Sequence, residues 1–207
     1  MTAEPRPWDP HRERDEVIAV CCRAFWDDPL FDFLARDDLL DEYELLPWVF
    51  RAAMRDFETD ASQCFVVDVD GRPRGFAAWL EPGSLPRPAK VALRRDLRSI
   101  GLVARVRNRR AALGLLREVD HRHPHEPHWY LGLLATDPSA QGRGHGTALL
   151  RPVLERCDAE GVPAYTETQK EANVAWYARS GFQMIDEVRL SGTPPIWRLW
   201  RDPRPPP

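Results

Sequence analysis

Seven consecutive residues have types and spacing suited to chemistry: Gln141, Gly142, Arg143, Gly144, His145, Gly146 and Thr147. Glycines at alternate positions let a backbone turn tightly and bring successive N–H groups to bear on one point, which suits an anion, phosphate oxygens above all. An apolar run over 128–136 precedes the loop and an apolar, helix-patterned segment over 148–160 follows it, so a helix N-terminus adds its partial positive charge to the cradle. The bland alternative is a flexible glycine-rich turn with no ligand.

The elements that must hold this loop can be read around it. Residues 129–136 form a buried strand ending at Asp137-Pro138, and the helix beyond the loop carries Pro152 as a local irregularity and Gly161 as its C-terminal cap. A second strand over 163–168, a short helix over 173–180 closed by Gly181, and strands over 182–190 and 196–201 complete that half. Upstream, helical periodicity starts at Glu16 and stops at Asp28-Pro29, and a second helix covers 41–57 with Pro47 marking its first turn. Residues 63–79 read as a hairpin around Asp70-Gly71, residues 81–88 as a loop, and residues 89–119 as helical. The ends, 1–9 and 203–207, read as flexible tails, and 1–9 offers no convincing strand.

The 207-residue chain has the length for one substantial core and the composition of an ordinary globular domain. No apolar run approaches the roughly 20 residues that cross a bilayer, and the N-terminus lacks a signal-peptide core, so a cytoplasmic protein is expected. Cys21, Cys22, Cys64 and Cys157 lack CxxC spacing and histidines at ligand distance, which predicts buried free thiols. Prolines interrupt the histidines of 121–128, so no metal is expected there. Acidic residues, Asp27, Asp28 and Asp32 among them, crowd the first third, while Arg94, Arg95, Arg98, Arg105, Arg107, Arg109 and Arg110 crowd the middle. Without interleaved aromatic residues the arginines read as a solvated face, not a nucleic-acid surface.

Two phosphate ligands compete for the loop. A dinucleotide fold wants Gly-x-Gly-x-x-Gly, but Thr147 stands where the third glycine belongs, and only about 60 residues remain for its second half. Glu167 lies near the ribose-binding distance, yet the upstream hairpin contradicts βαβ repetition. The other reading joins Gln141-x-x-Gly144-x-Gly146 to a downstream Asn173-x-x-x-Tyr177-x-x-x-Gly181-Phe182. In this order, separated by a helix and a strand, the two pieces resemble the GCN5-related N-acetyltransferase (GNAT) superfamily. The phrase 123–131, the long helical insertion 89–119 and Pro152 look like its puromycin N-acetyltransferase-like branch.

The resemblance implies a single α/β (α+β) domain with a mixed, mostly antiparallel sheet, flanking helices and a helical insertion before the cofactor strand. It implies acetyl-CoA as cofactor, with the pyrophosphate on the 141–147 backbone and Arg143 adding an ionic contact. Pantetheine would pair along Leu134, Ala135 and Thr136. Tyr177 becomes the candidate general acid, since a phenol with a reference pKa of about 10 holds its proton at neutral pH; packing alone is its alternative. Asn173 would bind pantetheine or water, or serve only as a helix cap. Glu167 is the candidate base, acting through water, although an amine of lowered pKa needs none. The implied reaction is acetyl transfer by direct attack of a small-molecule primary amine, by a monomer or homodimer, with no nucleic-acid or membrane partner. A protein acceptor and a non-catalytic acyl-CoA-binding module are the alternatives. Trp26, Phe31, Phe33, Trp48 and Trp79 are candidates for the acceptor pocket or for core packing.

Overall fold

Residues 3–35, 39–58, 62–84, 106 and 109–204 are described by the computed structural model of the chain. Among them seven strands form one sheet in the order β1-β2-β3-β4-β5-β7-β6. They are β1 (Arg6–Pro7), β2 (Ser62–Val69), β3 (Arg72–Leu80), β4 (Trp129–Thr136), β5 (Ala164–Thr168), β6 (Gln183–Val188) and β7 (Ile196–Arg201). Only β4 and β5 run parallel; the other pairs are antiparallel. Asp70 and Gly71, with φ of 52° and 73°, make the β2–β3 turn, since two successive positive φ values match the twist of a tight hairpin.

One face carries α1 (Pro10–Ala24) and α3 (Leu39–Phe57), which bury Val17, Val20, Leu46, Phe50 and Met54 against Val66, Phe76 and Ala78. The short α2 (Pro29–Leu34) lies between them, capped by Asp28. The other face carries α5 (His145–Glu160) and α6 (Glu171–Ala178), with Leu149, Leu150 and Val153 packed on Trp79, Trp129 and Leu199. Each such apolar side chain stabilises by about 1.5–3 kcal/mol on full burial, so the two clusters hold the sheet from both sides. Between β3 and β4 runs α4 (Arg109–Arg122). It is the described part of the helical segment expected over 89–119; residues 89–105 lie outside the described residues, as do Arg94, Arg95, Arg98, Arg105 and Arg107.

Two expectations are corrected. The N-terminal end is not a loose tail: Arg6 and Pro7 pair with Val66 and Phe65, and Trp8 is buried against Phe76. No apolar run signals this strand because Arg6 secures it through Asp68 at 2.7 Å and Glu13. Pro47 is not in a first turn either; it sits inside α3, which begins at Leu39.

Alternation along β4 hides a break. Ala78 pairs with Leu133 and Trp79 with Leu131, leaving Gly132 as an extra residue, a β-bulge. Before it, Trp129 and Leu131 point to the α5 side; after it, Leu133 and Ala135 point to the α1 side. Glycine leaves room there for the Phe57 ring, which a Cβ would approach to 2.9 Å and displace. Pairing with β5 covers only Trp129 to Leu131, so the two strands part immediately before the bulge and leave the β4 edge beyond it unclaimed by β5.

Candidate active site

A cleft of about 650 Å³ opens where β4 and β5 separate. Its floor and rim include Leu134 and Thr136 from β4, and Gln141, Gly142, Gly144, His145, Gly146 and Thr147 from the glycine loop and the start of α5. Lys170, Asn173, Trp176 and Tyr177 come from α6 and its entry, while Ala24, Phe25 and Asp28 form the wall from the α1 side.

The loop is built for an anion. Gly142 and Gly144 have φ of 74° and 82°, conformations that L side chains rarely adopt, and Gly144 is the N-cap of α5 without a side-chain cap. The first N–H groups of the helix therefore face the cleft without a capping side chain. His145 is buried at the first helical position, and its Nδ1 has no hydrogen-bond partner among the described residues. Gly146 lets Trp176 approach closely: a Cβ would lie 3.0 Å from the indole and 3.6 Å from Thr136 Oγ1. The Gln141 carboxamide donates to the Thr136 carbonyl at 3.1 Å and ties the loop back to the strand.

Asp137 anchors the start of the loop. Its Oδ1 accepts from the Ser139 N–H at 3.0 Å and the Ser139 hydroxyl at 2.6 Å, and its Oδ2 accepts from Arg23 at 2.7 Å and Arg74 at 3.1 Å. Burial pushes this carboxyl up, but the donors outweigh it and hold it at about 2. One side chain thus pins the end of β4 to α1 and to β3. Lys170 forms a second tie, from the residue capping α6 to Asp27 at 2.5 Å beyond α1.

Tyr177 is buried on the cleft wall between Trp176 and Phe182, with ring centroids 4.9 and 5.4 Å away. Burial raises its phenol well above the ordinary range, a hydrogen bond with Thr166 acting in the opposite direction. The group therefore stays protonated at neutral pH. Asn173, one turn earlier, lines the cleft and donates to Thr168 Oγ1 at 3.0 Å; Lys170, not Asn173, is the cap of α6.

The remaining expected residues lie elsewhere. Arg143 is exposed and outside the cleft lining, and the Ala135 side chain packs on the α1 side, which leaves that residue only its backbone for a ligand. Glu167 does not line the cleft. It sits one residue past the last β5 pair with β4 and accepts from the Tyr165 hydroxyl at 2.7 Å and the Tyr130 hydroxyl at 3.1 Å. Burial pushes its carboxyl up against those two hydrogen bonds. Tyr165 in turn accepts from Arg198 at 2.9 Å. The histidines His123 and His128 join this group, packing on Tyr165 within an aromatic cluster. Among the five aromatic residues considered for an acceptor pocket, Trp79 and Phe31 are core and Trp26 is exposed; none lines the cleft, whereas Phe25 does. Phe25, Trp176 and Lys170 were not singled out from sequence, and Asp137 was read only as the end of the strand; its pairing with Arg23 and Arg74 and that of Lys170 with Asp27 join residues distant in the chain.

Residues 22–182 match the Acetyltransferase (GNAT) family model. The solved structure of a histone acetyltransferase HPA2 and related acetyltransferase from Corynebacterium glutamicum superposes with a TM-score of 0.70 at 22% identity, over 100% of this chain and 99% of that one. A polyamine N-acetyltransferase of Drosophila melanogaster, which forms N-acetylagmatine, gives 0.57 at 17% identity over 96% and 98%. An uncharacterised N-acetyltransferase of Schizosaccharomyces pombe, C550.08, is 32% identical over 63 residues, which is 30% of this chain and 26% of that protein's length. At such identities the two structures speak for the fold, and the family match speaks for the sequence. Since the segment it covers contains the split strands, the loop and the entire cleft lining, the chain belongs to the acetyltransferase (GNAT) family, whose enzymes use acetyl-CoA.

Proposed function

We propose that the protein transfers the acetyl group of acetyl-CoA to the primary amine of a small molecule by direct attack. The observation that carries this is the continuity of one cleft from the uncapped start of α5, past the free edge of β4, to the buried phenol of Tyr177. When bound, acetyl-CoA supplies an activated acyl carbon with a thiolate leaving group. The N–H groups of the 141–147 loop would hold its diphosphate, and the backbone of Leu134, Ala135 and Thr136 would pair with its amides as an added strand does.

In the reaction a C–N bond forms to the acceptor nitrogen while the C–S bond breaks, so one proton leaves the amine and one reaches the sulfur. Tyr177 would give the second proton, since its phenol, raised by burial, is in the protonated form at neutral pH. Glu167 receives the first through water; its raised carboxyl suits a base, and its place beside the strand split supports the role. A main-chain N–H on the β4 edge would polarise the thioester carbonyl. The reading extends to the puromycin N-acetyltransferase-like branch, supported by the lead-in His123 to Leu131 and by Pro152 inside α5. The setting we propose is the cytoplasm, in keeping with four cysteines that form no disulfide.

The test is acetyl-CoA turnover by the purified protein with detection of free thiol across an amine panel. Acceptor-dependent release is expected. Tight acetyl-CoA binding without release for any amine or peptide N-terminus would support the non-catalytic alternative instead.

A further inference from the structure

We propose that Asp28 is the anionic anchor for the acceptor, so that the enzyme selects amines that are protonated in solution over amines that are neutral. The inference rests on the acetyltransferase reading above.

The segment from Phe25 to Asp28, between α1 and α2, is fixed on both sides of the strand split. Arg23 holds it to Asp137 at the end of β4, and Asp27 holds it to Lys170 just past β5. Asp28 follows these two ties in the chain, and it lines the cleft while being only 4% exposed. Its Oδ1 accepts from the Leu30 N–H at 2.9 Å and caps α2. Among the described residues its carboxylate makes no other hydrogen bond and no ion pair. The ammonium nearest in effect, Lys170, is engaged by Asp27.

Capping does not require this charge. Asparagine or serine caps a helix about as well, without the penalty of burying a carboxylate that lacks a cationic partner. Burial indeed raises the Asp28 carboxyl, the direction expected when the fold itself supplies too little compensation. The donor does not supply it either, because a carboxylate repels the phosphate oxygens for which the glycine loop of the same cleft is arranged. A cation entering the cleft from the acceptor side satisfies the free oxygen, and an alkylammonium ion, with a pKa of about 10 like that of lysine, is the ordinary form of an aliphatic amine at neutral pH. Asp28 binds that ion; the proton leaves before attack by the route described above.

The experiment is steady-state kinetics near neutral pH at saturating acetyl-CoA, with putrescine and benzylamine as charged acceptors and aniline as the neutral one. Asp28→Asn and Asp28→Ser both retain a capping oxygen and should leave the melting temperature and the KM for acetyl-CoA unchanged. The expected result is a loss of about tenfold or more in kcat/KM for the charged amines, as for a lost charge-assisted hydrogen bond, with the aniline rate unaltered. An equal effect on all three acceptors, no effect on any, or a rise in KM for acetyl-CoA alone overturns the assignment. A wild-type protein that releases no thiol with any amine overturns the acetyltransferase reading, and this inference with it.

Discussion

Replacing Asp137 by asparagine tests whether the glycine loop is held by a charge. In the native protein the carboxyl is held at about 2 instead of its ordinary 3.8. That difference corresponds to roughly 2.5 kcal/mol in favour of the ionised form. Part of it survives the substitution, because an amide oxygen still accepts from Ser139. The side chains of Arg23 and Arg74 are 47% and 33% exposed, so solvent screens their share. The expected loss is about 1–2.5 kcal/mol, or a fall of about 3–8 °C in melting temperature for a chain of this size. The assay is thermal unfolding followed by circular dichroism across pH. Because the folded value lies below the unfolded one, the stabilisation is complete above about pH 4 and disappears as pH falls toward 2, so the two proteins should converge in acid. A variant that melts within a degree of wild type at neutral pH, or a gap that persists in acid, refutes the reasoning.

Two further outcomes concern the reaction. Tyr177→Phe, which keeps the ring packed between Trp176 and Phe182, should lower kcat about 100-fold under chemistry-limited conditions while leaving acetyl-CoA affinity intact; full kcat would remove Tyr177 as the acid. Glu167→Gln should abolish the acidic limb of the pH–kcat/KM profile. The base works only when ionised, so activity in the wild type falls as pH drops through its raised pKa, and an unchanged profile would assign the base elsewhere.

The strand, loop and helix around residues 141–147 were legible because their residue types act locally: a continuous apolar run for β4, glycines for positive φ, a 3.6-residue period for α5. The hairpin at Asp70-Gly71 was legible for the same reason. What stayed hidden depends on partners far along the chain. Arg23 and Asp137 are separated by 114 residues, and Lys170 and Asp27 by 143, so no window of sequence displays either tie. The Gly132 bulge escaped because its strand still alternates in burial on both sides of the extra residue, although the face has reversed. β1 escaped because ion pairs, not apolar pattern, hold it. Glu167 and Tyr177 illustrate the converse: both candidates were nameable by type, but only the fold distinguishes one that lines the cleft from one enclosed by tyrosines beside it.

The most direct test of the cleft as a donor site is titration of acetyl-CoA into the wild type and into Gly146→Val, followed by calorimetry. The added side chain starts 3.0 Å from Trp176 and 3.6 Å from Thr136, at the point where the loop meets the β4 edge. Saturable one-to-one binding by the wild type is expected, with a loss of about tenfold or more in affinity in a variant that still unfolds cooperatively. Absence of binding by the wild type, or equal affinity in the two proteins, would contradict the cleft's role as the donor site.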